Sequence, residues 1–190
     1  MKNYVKELNK VFLEIEATDD KGKVVILDKA IEKVVSLILA QKKTGNKVIV
    51  IGNGGSASIA SHTAIDLLKN AKVPAIAFND SSLLTCLSND LGYEFVFQKP
   101  IEMLSGKGDI LFSISSSGKS KNIVNAALEA KQRGCFVITM SGFDRRNPLR
   151  KLGRINFYVP SGSYGHVELA HAAICHCVTD RIIEKNNLNG

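Results

Sequence analysis

The hydrophobic pattern of the chain changes character near residue 45. Before that point apolar residues recur at helical spacing. Over 24–43, Val24, Leu27, Ile31, Val34, Val35, Ile38 and Leu39 form one stripe, and residues 2–17 carry a similar period. Asp19-Asp20-Lys21-Gly22 separates the two segments. Beyond residue 45 come short, mostly apolar runs at 48–51, 75–78, 110–114, 136–140 and 155–159. Such runs suit strands that are buried on both faces. Helices are predicted between them at about 56–70, 81–88, 120–133 and 146–152, and a last one at about 164–185. Alternating strands and helices predict one α/β domain over 1–190, a five-stranded parallel sheet between two helical layers.

Composition narrows the class. With 190 residues, 45% of them hydrophobic and 23% charged, the chain is expected to be globular with a sizeable core. No apolar run reaches membrane-spanning length, and the charged N-terminus is not followed by the apolar stretch of a signal peptide. A cytoplasmic location is therefore expected, with no membrane partner. The net charge of +7 is scattered apart from Arg145-Arg146 and Arg150-Lys151, and no aromatic residues interleave with it. A solvated basic surface that attracts anionic metabolites fits better than a nucleic-acid interface. Cys86, Cys135, Cys175 and Cys177 do not form a disulfide framework in a chain of this length, and buried thiols are expected in the last helix.

Candidate chemistry begins at Gly52-Asn53-Gly54-Gly55-Ser56, between the 48–51 strand and a helix. The first N–H groups of a helix lack internal partners and carry partial positive charge, so they receive phosphate. Glycines allow close approach and hydroxyls add donors. The segment has neither the Gly-Lys-Ser/Thr ending of a P-loop nor the spacing of a dinucleotide fingerprint. A second turn, Ser115-Ser116-Ser117-Gly118-Lys119-Ser120, follows the 110–114 strand. It holds more hydroxyls than a helix cap needs. Ser115, Ser117 and Ser120 are expected to donate to phosphate oxygens.

His62 and Asp66, four apart on one helix, share a face. In the last helix Glu168, His171 and His176 stand among apolar residues, Glu168 and His176 nearly in line. His62, Asp66, Glu168 and His176 are expected to meet. Carboxylate plus imidazole suits proton transfer beside a carbonyl through an enediolate, and the same four suit a divalent metal such as zinc. The two readings are compatible.

Gly52-Asn53-Gly54-Gly55-Ser56, the segment Ser88-Asn89-Asp90-Leu91-Gly92-Tyr93 and the serine turn together resemble the sugar isomerase (SIS) domain, most closely the bacterial phosphoheptose isomerases. The resemblance covers nearly the whole chain. It implies a flavodoxin-like three-layer sandwich and a homotetramer with composite sites, residues 1–45 serving oligomerisation. It also implies interconversion of sedoheptulose 7-phosphate and glycero-manno-heptose 7-phosphate for surface glycans such as lipopolysaccharide or capsule. By resemblance, Gly54, Gly55, Ser56, Ser115, Ser116, Ser117 and Ser120 bind the substrate phosphate end, and Asn53, Asp90 and Glu168 line the sugar site. His62, Asp66, Glu168 and His176 hold one zinc ion, with a carboxylate as base and His176 as acid. Two positions depart from the family pattern: Asp66 replaces a Glu and Glu168 replaces a Gln. Asp66 could thus be a ligand and Glu168 the base, or the reverse. The segment before Glu168 also lacks the usual Arg-Ile-Gln. The alternative class is a non-catalytic SIS module that binds a sugar phosphate or a protein.

Overall fold

The computed structural model describes residues 1–188. Residues 189–190, the end of the span expected to form one domain, lie outside them. In chain order the elements are α1 (Lys2–Leu13), β1 (Glu16–Asp19), β2 (Val24–Val25), α2 (Leu27–Lys43), β3 (Val48–Gly52), α3 (Gly55–Lys69), β4 (Ala75–Ala77), α4 (Ser81–Leu91), α5 (Gln98–Leu104), β5 (Ile110–Ser115), α6 (Lys121–Gln132), β6 (Phe136–Ser141), β7 (Ile155–Tyr158) and α7 (Tyr164–Leu188).

The five expected strands form the parallel core, in spatial order β4-β3-β5-β6-β7. Their mostly apolar runs arise because both faces are covered. In β3, Val48 and Val50 pack with α2, α3 and α7, whereas Ile49 and Ile51 pack with α5 and α6. The sheet is wider than expected. Residues 16–19, which continue the helical period of the N-terminus, leave the helix and pair antiparallel with β7. β2 then closes a hairpin on β1. Two backbone N–H groups, of Lys21 and Lys23, donate to Asp19 Oδ1 and fold that turn. The expected helix at 146–152 shrinks to a single 3-10 turn at Leu149–Lys151, started by Pro148. A helix that the periodicity did not reveal, α5, carries Pro100 in its first turn, where a missing N–H is harmless.

After β3 the chain goes to one side of that strand for β4 and returns to the other for β5. The crevice between the C-terminal ends of β3 and β5 is thus the topological switch point, where open α/β sheets take ligands. Gly52 pairs with Ile114, so the two turns start level with each other.

The opposite end of the same strands is stapled. Asp109, almost wholly buried, accepts from Lys47 N (2.9 Å), Lys47 Nζ (2.6 Å) and Gly106 N (2.9 Å). Burial raises the Asp109 pKa, but the Lys47 and Gly106 bonds outweigh it and hold the carboxyl below its usual range. A depressed pKa contributes stability that is present above the unfolded value, about 3.9, and lost as pH falls through the folded value. Asp109→Asn is therefore expected to cost about 2 kcal/mol at pH 7 and to flatten the acid limb of stability against pH. Denaturant unfolding from pH 7 down to pH 3 would check this; parallel curves for variant and wild type would contradict it.

Candidate active site

The first turn is built where β3 runs directly into α3. Gly54, at φ +53° and ψ −123°, takes a backbone shape that side chains resist, and α3 begins at the next residue without a side-chain cap. The N–H groups of Gly55 and Ser56 remain open to a ligand, whereas those of Ala57 and Ser58 already donate to the Asn53 and Gly54 carbonyls. Across the switch point, Gly118 at φ +62° turns the serine segment into α6, whose N-cap Ser120 also makes no capping bond. Ser120 Oγ instead accepts from Ser115 Oγ at 3.3 Å. Ser115 Oγ also accepts from Gly118 N at 3.2 Å, and Ser117 Oγ from Lys119 N at 3.2 Å. Ser116 Oγ is buried with no partner among the described residues.

Together Asn53, Gly54, Gly55, Ser56, Ser115, Ser116, Ser117 and Ser120 line a cavity of about 250 Å³, completed by Tyr164 and Glu168 of α7. The two turns expected to form an anion cradle do share one cavity. Asp90 does not line it. That side chain is exposed on α4, accepting from Asn89 Nδ2 at 2.9 Å.

A second, adjoining groove of about 200 Å³ lies farther along α3 and α7. It contains His62 and Asp66 from α3 and His176 from α7, with Thr63, Cys175 and Thr179 in its wall. His62 Nε2 stands 3.2 Å from Asp66 Oδ2, and His176 Nδ1 stands 3.5 Å from the same oxygen. The two imidazoles meet edge-on, with centroids 5.2 Å apart. Asp66 is mostly buried, whereas His62 and His176 are each half or more exposed. The other carboxylate oxygen, Asp66 Oδ1, accepts from Asn70 Nδ2 at 3.1 Å. One potential ligand atom from each of the three residues lies within 4.8 Å of the other two. Four ligands placed about 2.0–2.1 Å from a zinc ion stand roughly 3.4 Å apart at tetrahedral angles, close to these separations. Two imidazoles and a carboxylate are also the donor types that zinc accepts. The cluster therefore fits a divalent cation, with open positions for solvent or substrate.

The four residues expected to meet do not all do so within one chain. Glu168 precedes His176 by eight residues, about 12 Å along a helix at 1.5 Å per residue. Its carboxyl group packs against Gly55 at the start of α3, in the cradle. Asp66 is the only carboxylate that lines the groove among the described residues. His171 also faces elsewhere. It is fully buried with Nε2 3.4 Å from the Ser141 carbonyl oxygen, and burial pushes its pKa down to about 4, so it is neutral at pH 7. Cys175 is buried as expected, and burial pushes its thiol up to about 11, which keeps it unreactive. Sequence reasoning missed Asn70, and it missed Asn122, whose amide pairs with that of Asn53 at 2.9 and 3.0 Å. Neither residue stands in a recognisable motif.

Comparison with known proteins places this chain in a family. Residues 4–142 match the model of the SIS domain. The chain is 37% identical to the phosphoheptose isomerase of Helicobacter hepaticus, over 88% of each protein. It is also 37% identical to that of Sulfurimonas denitrificans, over 97% of this chain and 96% of the relative. The structure of a phosphoheptose isomerase from Francisella tularensis superimposes with a TM-score of 0.83 at 30% identity, covering 97% of this chain and 96% of that one. Fold and sequence agree: the chain belongs to the SIS-domain family, as a relative of the phosphoheptose isomerases.

Proposed function

We propose that this protein is a sugar-phosphate isomerase that interconverts a ketose and an aldose phosphate through an enediolate. The proposed substrate is sedoheptulose 7-phosphate, and the product is D-glycero-D-manno-heptose 7-phosphate for cytoplasmic nucleotide-heptose synthesis. The observation that carries this reading is the pairing along α3: a phosphate-type cradle at its N-terminus and a His–Asp–His cluster on its body. The first suits the anionic end of such a sugar and the second its carbonyl end.

The phosphate is received by N–H groups of Gly55 and Ser56 and by hydroxyls of the serine turn, Ser116 among them. At the carbonyl end, proton transfer falls to the groove. Asp66 takes the proton from the carbon beside the carbonyl through Oδ1, which among the described residues bonds only the exposed Asn70 amide, and returns it to the former carbonyl carbon. His176 then serves the oxygens, giving a proton to one as the enediolate forms and removing one from the other as it collapses. Glu168, set in the cradle, bears on the phosphate end and not on the proton transfer. His62, Asp66 and His176 would hold a zinc-type cation, which when bound supplies a Lewis acid for the substrate carbonyl.

The half-exposed imidazoles and the separation of cradle from groove support a site completed by a second copy of the chain, in the homotetramer that the family resemblance implies. Tyr4, Val5 and Leu13, exposed apolar residues of the N-terminal helical segment, support its use in that contact.

The test is direct. Purified protein incubated with sedoheptulose 7-phosphate is expected to form the aldose, at a rate lowered by a chelator and restored by zinc. A failure to isomerise any ketose phosphate tried, with or without zinc, would overturn the reading in favour of a binding module.

A further inference from the structure

The side chain of Asn53 bonds to two other segments of the chain. Its Oδ1 accepts from Asn122 Nδ2 at 2.9 Å and from the Tyr93 hydroxyl at 3.0 Å. An amide oxygen has two lone pairs, so its accepting capacity is full. Asn53 Nδ2 donates back to Asn122 Oδ1 at 3.0 Å. Asn122 is buried in the first turn of α6, the helix opened by the serine turn. A two-way amide bridge therefore ties the glycine turn to the serine turn. Tyr93 brings a third segment to the same atom. It belongs to the Ser-Asn-Asp-x-Gly-Tyr motif, whose Asp90 points away from the cavity. The 3-10 turn at Tyr93–Phe95 follows Gly92 at φ +97° and is anchored on α6, where Asn125 Nδ2 donates to the Glu94 carbonyl at 3.1 Å.

We propose that Tyr93 and Asn122 are positioning residues that set the spacing of the two anion-receiving turns through Asn53. Asn53 acts by holding these turns together. The inference rests on reading the turns as a phosphate cradle. It also explains the otherwise unused 88–97 motif, whose tyrosine locks the cradle from outside. An amide bridge alone leaves the glycine turn free to pivot about one contact, and the hydroxyl supplies the second direction of restraint.

Tyr93 is half-exposed, so Tyr93→Phe removes the hydroxyl without threatening the core. In ligand-free protein, amide hydrogen exchange at Ala57, Ser58 and Gly118, the hydrogen-bonded amides of the two turns, is expected to quicken about fivefold or more in this variant. The Kd for inorganic phosphate and the KM for the sugar phosphate are expected to rise about three- to tenfold, as for one neutral hydrogen bond, with kcat within about twofold. In Asn53→Ala the same change at Tyr93 is expected to add nothing, because the shared acceptor is gone. Wild-type exchange at both turns in Tyr93→Phe would overturn the proposal. So would additive losses in the double variant. The exchange measurement needs neither substrate nor turnover. If exchange quickens but the wild type isomerises nothing, only the proposed function falls.

Discussion

Asp66→Asn is expected to lower kcat for sugar-phosphate isomerisation by roughly 10²–10⁴-fold, the range contributed by a positioned acid or base. Asparagine keeps the size of the side chain and its contact with Asn70. It removes the charge on which both imidazoles converge, at 3.2 and 3.5 Å. No other carboxylate lines the groove among the described residues, and Glu168 stands about 12 Å from His176 along α7. No neighbour in the chain can take over. The loss is expected in kcat and in zinc retention, with the Kd for inorganic phosphate within about threefold of wild type, because the cradle is built from other residues. Steady-state kinetics, metal analysis and phosphate titration separate these effects. A kcat close to wild type would remove Asp66 from the reaction.

Gly52→Ala is expected to damage the cradle severely. A Cβ at Gly52 would stand 2.5 Å from the Ser56 carbonyl carbon and 2.8 Å from Ser56 Cβ. The obstacle is mainly backbone in the first turn of α3, so no rotamer relieves it. The end of β3 or the start of α3 must move, at a cost of about 1–3 kcal/mol. For a chain of this size that lowers Tm by roughly 2–4 °C per kcal/mol. The Kd for phosphate is expected to rise more than about tenfold, because the N–H groups that face the anion move with α3. Gly55→Ala is the informative contrast. Its Cβ would fall 2.5 Å from the Glu168 carboxyl carbon, the far end of a flexible side chain that can swing away. Its Tm is expected to stay near that of wild type. Equal destabilisation by the two alanines, measured by thermal unfolding, would refute this distinction.

Much of the architecture was legible because double-sided burial leaves a plain mark. β3, β5 and β6 cannot carry polar residues on either face except where Ser113, Ser115, Thr139 and Ser141 approach the functional end. β1 and β2 were not legible. Glu16-Ala17-Thr18-Asp19 has one apolar residue, and it becomes a strand through pairing with β7, far away in sequence. α5 was hidden by its brevity and by Pro100. In the site, glycine and serine turns at strand ends and the i, i+4 pair His62–Asp66 are local signals, and each falls where local geometry puts it. The grouping of Glu168 with His176 rested on helical direction alone. Eight residues bring two side chains back to the same side of a helix, but they also separate them by more than two turns. Spacing therefore reported direction and not reach. Asn122 and Tyr93 were beyond reading, since what an amide or phenol bonds to is decided by which loops the sheet brings together.

At the centre of the proposed function is the movement of a proton between neighbouring carbons of a sugar phosphate. Running sedoheptulose 7-phosphate with the protein in D2O, and following the sugar by NMR, tests it most directly. The expected result is deuterium at the carbon beside the carbonyl, appearing with the aldose and falling away in Asp66→Asn. Retention of every carbon-bound proton by the wild-type protein, despite measurable binding of the sugar phosphate, would contradict it.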